Sequence, residues 1–122
     1  MKKSLTFQAK ARMGRTMMEA FYKKTGSRLG ARVHRFKGQV DIQWASMDSG
    51  KTQTLVWLHG FSDRKESFYF CAGPLKKQFN IIVLDLPGFG KSSKDTNLEY
   101  SLDNYCQWLG EFIQGTGPNR FH

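Results

Sequence analysis

The sequence predicts an α/β fold, and two short segments carry that prediction. Residues 55–58 (LVWL) and 81–84 (IIVL) are apolar runs, and each is followed by a turn that contains glycine. Runs of this length between turn signals are typical of strands buried on both faces. The 22 residues between them are enough for a crossover helix. The two runs therefore form a βαβ unit, and the sheet contains a parallel pair.

The N-terminal segment predicts a basic amphipathic helix. Apolar residues recur every four positions, and the helix is expected from about Leu5 to Lys24, with Gly26 as its stop. The stripe consists of Leu5, Ala9, Met13, Met17 and Phe21, widened by Met18, Ala20 and Tyr22. Such a helix either packs on its own domain with a solvated basic face, or lies on an anionic membrane surface. An organelle-targeting peptide is a further alternative, because the segment is rich in arginine and poor in acids.

Two strands and two helices complete the predicted elements. Residues 28–37 contain a connection and a first strand, and residues 39–46 alternate apolar and polar side chains as a half-buried second strand does. Residues 66–78 are predicted to be mostly helical, interrupted by Pro74, with three inward side chains, Phe68, Phe70 and Leu75. A last helix begins at the N-cap Ser101 and stops at Gly115. Its apolar face comprises Leu102, Tyr105, Cys106, Leu109, Phe112 and Ile113.

Charge divides the chain into two parts. Residues 1–37 carry eleven Lys or Arg and one acid, a net charge of +10, whereas residues 38–122 carry eight basic and nine acidic residues, a net charge of −1. We therefore predict a basic helical head over residues 1–32 and an α/β domain over residues 33–122. No recognition motif accompanies the basic head, so nucleic acid is not an expected partner.

The two cysteines and the apolar runs exclude several classes of protein. Cys71 and Cys106 are isolated and there is no histidine cluster, so neither a disulfide framework nor a metal site is predicted, and both thiols are expected to be buried and reduced. No run approaches the ~20 residues of a membrane span. No signal-peptide pattern is visible either, and a cytoplasmic or peripheral-membrane location is expected.

Three motifs in sequence order resemble the α/β-hydrolase superfamily. They are His59-Gly60-Phe61, the string DLPGFGKSS at residues 85–93, and YSLDNY at residues 100–105. The string HGFSDRKESF is most similar to bacterial lipases and monoacylglycerol-lipase-like members. The resemblance covers residues 39–122. It implies an antiparallel first strand pair, a strand order 1-2-4-3-5, and a chemical site at the carboxyl ends of the parallel strands.

The resemblance also implies roles for two turns. His59, Gly60 and Phe61 would form the oxyanion turn, with the backbone N–H of Phe61 as a donor to the developing oxyanion. His59 is expected to hold the loop by hydrogen bonds and not to act as the catalytic base. The second turn would shape a wall of the site through Asp85, Pro87, Gly88, Phe89 and Gly90. No cofactor and no metal are implied.

The second turn partly matches two nucleotide-binding motifs but lacks a glycine that each requires. A phosphate-binding loop ending at Gly90-Lys91-Ser92 would need glycine where Asp85 stands, and a dinucleotide fingerprint would need glycine where Ser93 stands. A nucleotide-binding module is therefore rejected. Ser62 occupies the position of the proline in the H-G-x-P turn of epoxide hydrolases and many dehalogenases, which favours a serine nucleophile over an aspartate one.

The nucleophile elbow G-x-S-x-G occurs nowhere in the 122 residues, and in this family the acid and histidine follow the serine. We therefore expect the N-terminal portion of a serine ester hydrolase that is inactive alone, with a lipid or another ester as the substrate of the full-length protein. The alternative is a truncated, non-catalytic chain that binds a membrane surface or a protein partner through residues 1–30. The strand at residues 55–58 would be an open sheet edge, which predicts self-association.

Overall fold

The computed structural model describes residues 6–117, which contain three α-helices, one turn of 3₁₀ helix and four strands. The elements follow one another as α1 (Phe7–Leu29), β1 (Arg32–Lys37), β2 (Asp41–Met47), β3 (Thr54–Leu58), the 3₁₀ turn (Lys65–Phe68), α2 (Tyr69–Leu75), β4 (Asn80–Leu84) and α3 (Leu102–Thr116). The predicted helix start at Leu5, and Phe121 and His122, lie outside the described residues.

The four strands form one mixed sheet with the order β1-β2-β4-β3. β2 runs antiparallel to both β1 and β4, and β3 runs parallel to β4 with Leu58 opposite Leu84. The predicted antiparallel first pair, the parallel βαβ unit and the 1-2-4-3 part of the strand order are confirmed. β1 and β3 are the two edge strands of the sheet formed by residues 6–117.

Alternate residues of β4 divide the core between the two faces of the sheet. Ile81 and Val83 point to the face covered by the 3₁₀ turn and α2, where Phe68, Tyr69 and Ala72 are buried. The opposite face receives Ile82, Leu84 and Ile42 from the strands, Val40 from the turn before β2, and Trp108 and Phe112 from α3. This alternation follows from the two-residue period of a strand. Both faces are thus covered, as a parallel strand pair requires.

α1 extends beyond its predicted stop. The helix ends at Gly30, which has a φ of 72° and donates its N–H to the carbonyls of Gly26 and Ser27. Gly26 lies inside the helix and is buried, because the Tyr69 ring packs so closely that a Cβ on Gly26 would lie 3.2 Å from it. Only the C-terminal part of α1 contacts the domain in this way. Of the predicted apolar stripe, Met13, Met17, Met18 and Phe21 stay exposed, with Met17 70% exposed.

The prediction of a single helix over residues 66–78 is wrong about which side chains face the core. The 3₁₀ turn has three residues per turn, so α2 presents a face different from that of a continuous α-helix. Phe68 is buried and Leu75 packs against the core as predicted, but Phe70 is 66% exposed, and Tyr69 and Ala72 are buried instead.

α3 begins at the predicted N-cap, where the Ser101 side chain accepts the N–H of Asn104, but it ends at Gly117 and not at Gly115. Gly115 lies inside the helix, and Phe36 of β1 packs so closely against it that a Cβ there would lie 2.4 Å from the ring. Trp108, absent from the predicted face, is buried, whereas Leu102 and Cys106 are exposed.

Both cysteines are free thiols, but the prediction that they are buried is wrong. Cys71 on α2 and Cys106 on α3 are exposed, because each lies on the solvent side of its helix. Among the helices of residues 6–117, none has the length and apolar character needed to cross a bilayer.

Candidate functional site

The two predicted turns lie side by side at the carboxyl edge of the parallel pair. Residues 59–61 leave β3 directly after Leu58, residues 85–90 leave β4 directly after Leu84, and these two leucines are opposite each other in the register. In open α/β sheets, ligands bind outside the carboxyl ends of the strands. The sheet therefore brings both candidate segments to the edge where such sites occur.

His59 links the first turn to the second. Its side chain is buried, and its Nε2 accepts the backbone N–H of Leu86 at 3.0 Å. Because Nε2 is an acceptor, the ring proton resides on Nδ1, which donates to the carbonyl oxygen of Gly60 at 2.7 Å. The Phe89 ring packs edge-on against the imidazole, with the centroids 5.5 Å apart. Both ring nitrogens are therefore engaged in holding backbone.

The first turn is a compact reversal of four residues. The N–H of Asp63 donates to the carbonyl of Gly60 at 3.2 Å, and the left-handed residue of the turn is Ser62, with a φ of 59°. A Cβ on Gly60 would meet no atom within 4 Å, so nothing in residues 6–117 requires glycine there. The Phe61 side chain is 90% exposed. Within the described part of the chain, its backbone N–H has no acceptor.

Asp85, the first residue of the second turn, is completely buried and fully hydrogen bonded. Its Oδ1 accepts the backbone N–H of Lys65 at 2.8 Å, and its Oδ2 accepts Lys65 Nζ at 2.8 Å and the Lys91 N–H at 3.0 Å. These three donors, two backbone N–H groups and one ammonium, offset the loss of hydration of the buried carboxylate. Asp85 thus stabilises the turn and has no free oxygen for proton transfer.

Lys65 contacts the second turn but was not among the site residues predicted from the sequence. It is only 1% exposed, and its ammonium group also donates to Gln43 Oε1 at 2.8 Å and to Glu66 Oε1 at 2.7 Å. With Asp85, these acceptors use all three of its N–H bonds. Nothing in the local sequence DRKES distinguishes this lysine from a surface residue.

A chain of ion pairs continues from Lys65 to the N-terminal helix. Glu66 also receives Arg64 Nε at 3.1 Å, and Arg64 Nη2 reaches Glu19 of α1 at 2.8 Å while the guanidinium lies over the Tyr22 ring. The hydrogen bond from Arg64 holds the pKa of Glu19 below its ordinary value, and nearby positive charges add to that effect. α1 is thereby attached to the segment that follows the first turn.

Two glycines of the second turn have left-handed backbone. Gly88 has a φ of 90° and Gly90 a φ of 54°. At Gly90 a Cβ would also lie 2.3 Å from the Asp85 carboxylate, so both the backbone and the close approach require glycine.

The carbonyl of Pro87, which is fully buried, accepts the Tyr105 hydroxyl at 2.7 Å.

The serines of the second turn are engaged in structural bonds. Ser92 is 5% exposed; its hydroxyl donates to the Asp85 carbonyl at 2.5 Å and accepts the Gln43 N–H at 3.0 Å. The Ser93 carbonyl accepts the N–H of Gly88 at 2.7 Å. No histidine lies among these bonds, so neither serine has the neighbouring base that activates a nucleophile.

A cavity of about 400 Å³ opens beside the second turn. It is lined by Gly88, Phe89, Lys94, Asp95, Thr96, Tyr100 and Tyr105. Burial raises the pKa of the Tyr105 hydroxyl. Phe89 thus borders this cavity on one side and the first turn on the other, where it contacts Phe61 with the ring centroids 5.8 Å apart.

Comparison with known proteins agrees with this geometry. The family described as "alpha/beta hydrolase fold" matches residues 53–122, more than half of the chain. An uncharacterised hydrolase of Saccharomyces cerevisiae is 30% identical over 97 residues, which are 78% of this chain and 33% of the yeast protein. "Lipase 3" of a Moraxella species is 34% identical over 74 residues, covering 61% of this chain and 23% of the lipase.

A crystal structure described as a membrane phospholipase A superposes with a TM-score of 0.75 at 25% identity, over 88% of this chain and 35% of that one. The chain therefore spans about a third or less of the length of these relatives. The match over residues 53–122, the strand order and the pair of turns at the carboxyl edge together show that the chain belongs to the α/β-hydrolase family.

Proposed function

We propose that this chain supplies the oxyanion side of a serine ester hydrolase of the carboxylesterase or lipase type. The observation that carries the proposal is the Phe61 backbone N–H, which has no acceptor among residues 6–117 and lies at the carboxyl edge of the sheet. An oxyanion hole needs donors that are fixed in place before charge develops on the substrate. The bonds that His59 makes to both turns provide that fixation.

The second turn forms the neighbouring wall of the site. Asp85 and Ser92 hold its backbone from the buried side, and Phe89 is left facing the first turn. An apolar wall of this kind suits the acyl chain or the alcohol part of an ester. The similarity to the Moraxella lipase supports a lipid ester as the substrate class of the whole protein.

The geometry at Ser62 favours a serine nucleophile over an aspartate nucleophile. Proline requires a φ near −65°, whereas Ser62 has a φ of 59°, so the H-G-x-P form of this turn is incompatible with the backbone seen here. The turn is therefore of the kind that the sequence resemblance connects with lipases.

The 122 residues contain no G-x-S-x-G elbow, so the chain alone is proposed to be inactive. The test is hydrolysis of a short p-nitrophenyl ester by the purified chain, together with labelling by a fluorophosphonate. We expect no turnover above background and no labelled serine. Turnover that disappears on fluorophosphonate treatment, in protein free of contaminating esterase, would overturn this proposal.

The oxyanion role is tested in a chimaera in which residues 39–117 replace the matching segment of the Moraxella lipase. Phe61→Pro removes the N–H at a turn position that proline tolerates, and we expect kcat to fall about 10²–10³-fold with little change in KM. Phe61→Ala is the matched control, because it removes the same ring and keeps the N–H. An equal loss of kcat in both variants would reject the donor role.

A further inference from the structure

α1 has one side that packs on the domain and another that remains largely exposed to solvent. The packed side consists of Glu19, Tyr22 and Gly26, through their contacts with Arg64 and Tyr69. We define the outer face as the exposed apolar residues of the helix and the ring that extends them onto α2: Phe7, Met13, Met17, Met18, Phe21 and Phe70.

The outer face is continuous across two elements. Phe21 of α1 stacks on Phe70 of α2, with the centroids 5.8 Å apart and the planes 26° apart, yet the two side chains remain 46% and 66% exposed. Phe7, at the other end of the helix, is 87% exposed. Exposed apolar side chains that form a contiguous patch mark a surface that binds something, unlike single ones scattered over a surface.

The charges around the outer face are almost all positive. α1 carries six Lys or Arg and one acid, and that acid, Glu19, is paired with Arg64 of the domain. Within residues 6–117, none of the six basic side chains of α1 forms an ion pair. Lys10 and Lys24 fall on the same side of the helix as Met13, Met17 and Phe21, given 100° of rotation per residue.

We propose that the outer face of α1 docks the protein on an anionic lipid surface. The Phe and Met side chains enter the boundary between headgroups and acyl chains, and the long stems of Lys10 and Lys24 let their ammonium groups reach the lipid phosphates. The mixture of lysines and apolar residues on one side keeps the helix at headgroup depth. Charge is therefore required in addition to apolar burial, and neutral lipid alone does not hold the protein.

A second copy of the chain fits this face less well. Two such helices packed face to face would bring together their unpaired basic side chains, and like charges at close range repel. The lipid surface supplies the opposite charge along the whole length of the helix. Each basic side chain near an anionic surface contributes about fivefold in affinity.

The experiment is co-sedimentation of the full chain with two kinds of vesicle, phosphatidylcholine alone and phosphatidylcholine mixed with phosphatidylglycerol, at low and at high salt. We expect binding to the anionic vesicles at low salt, loss of that binding at high salt, and little binding to the neutral vesicles. Equal binding to both vesicles, or no binding to either, would overturn the proposal.

Two variants separate the charge from the apolar contribution. Lys10→Ala with Lys24→Ala is expected to weaken binding about 30-fold. Its control is Lys51→Ala with Lys94→Ala, which removes the same charge from loops outside α1. Phe7→Ser with Met17→Ser is expected to weaken binding at least about tenfold. The control for that pair is Leu102→Ser, at a 79% exposed position on the opposite side of the sheet.

All of these substitutions are at exposed or loop positions, and circular dichroism checks that each variant keeps the wild-type fold. Loss of binding in the control variants to the same extent as in the α1 variants would overturn the proposal. So would a wild-type dimer, observed by sedimentation velocity without lipid, that Phe7→Ser with Met17→Ser converts to monomer, because the occupant of the face would then be a second copy.

Discussion

Lys65 and Asp85 illustrate how a few buried residues hold the candidate site in shape. Their side chains are 1% and 0% exposed, and the salt bridge between them measures 2.8 Å. Each also contacts a different part of the fold, Lys65 through Gln43 of β2 and Asp85 through the Lys91 N–H of the second turn. Removing one charge would leave the other buried without its counter-ion.

We expect Lys65→Met to destabilise the folded chain by about 3–5 kcal/mol, the cost typical of breaking one side of a buried ion pair. Urea denaturation measures the change in the free energy of unfolding. Lys77→Met is the matched control, since Lys77 is exposed and the same substitution there should cost less than about 0.5 kcal/mol. Similar costs at the two positions would show that the Lys65 ammonium contributes nothing beyond its aliphatic stem.

Gly90 allows a second residue-level prediction, with Gly50 as its control. Both have left-handed backbone, with φ of 54° and 66°, so alanine at either costs about 1–2 kcal/mol in backbone strain. Only at Gly90 would the new Cβ lie 2.3 Å from a carboxylate, whereas at Gly50 it would meet nothing within 4 Å. Thermal unfolding should therefore show Gly90→Ala to be less stable than Gly50→Ala by about a further 1–3 kcal/mol. Equal losses would mean that Asp85 moves aside freely.

The strands and turns were predictable from sequence because their signals are local. An apolar run followed by glycine specifies both a buried strand and its exit, and this held for β3 and β4. The failures arose where a distant residue decides the outcome. Gly26 and Gly115 are not helix stops: each is a glycine inside a helix where the Tyr69 or Phe36 ring packs close to the backbone. The burial of Lys65 likewise depends on acceptors 20 and 22 residues away.

The position of the first turn could likewise be predicted, but its geometry could not. The motif places His59, Gly60 and Phe61 after β3, yet the left-handed residue is Ser62, and only the folded backbone shows it. The phase of α2 was missed for a related reason. A single 3₁₀ turn rotates the helix that follows, and no composition signal separates three residues per turn from 3.6.

At the level of elements, β3 is the part of the structure most exposed to unwanted pairing. It bonds to β4 on one side, and within residues 6–117 no strand covers its other side. Its sequence TLVWL has neither the lysine nor the proline with which natural edge strands resist edge-to-edge association. The interpretation that the chain self-associates through this strand remains a prediction.

We expect Leu58→Lys to reduce self-association measured by sedimentation velocity at matched concentrations. Leu58 is 47% exposed at the end of β3, so a lysine there leaves the core intact and places a charge on the open edge. Leu102→Lys adds the same charge on α3, away from that edge, and should leave association unchanged. If both variants became equally monomeric, net charge and not edge pairing would explain the association.

The stability of the whole molecule should fall at high pH because of Tyr69. Burial, reinforced by the negative charges of Glu66 and Asp85, raises the pKa of its hydroxyl to about 12 from an ordinary value of 10.0. The folded state therefore binds this proton more tightly than the unfolded state does. The resulting stabilisation is complete below pH 10 and is lost as the pH rises towards 12; its size is about 3 kcal/mol at most.

In Tyr69→Phe, the free energy of unfolding should decrease less steeply between pH 10 and 12 than in the wild type. Some decrease should remain because the pKa of Tyr105 is also raised. The free energy of unfolding measured by urea titration at several pH values gives this slope. A Tyr69→Phe curve parallel to that of the wild type would contradict the prediction.

The open side of β3 also makes this sheet suitable for assembly from two polypeptides. Every second backbone group along residues 54–58 points away from β4, in the spacing that an incoming strand matches. A strand supplied by a separate polypeptide would complete the pairing and cover Trp57, which is only half-buried. A change in Trp57 fluorescence on mixing the chain with the remaining segment of a relative would report that docking. The sheet would then be completed by complementation, with the turns after β3 and β4 on one molecule and the strand beside β3 on another.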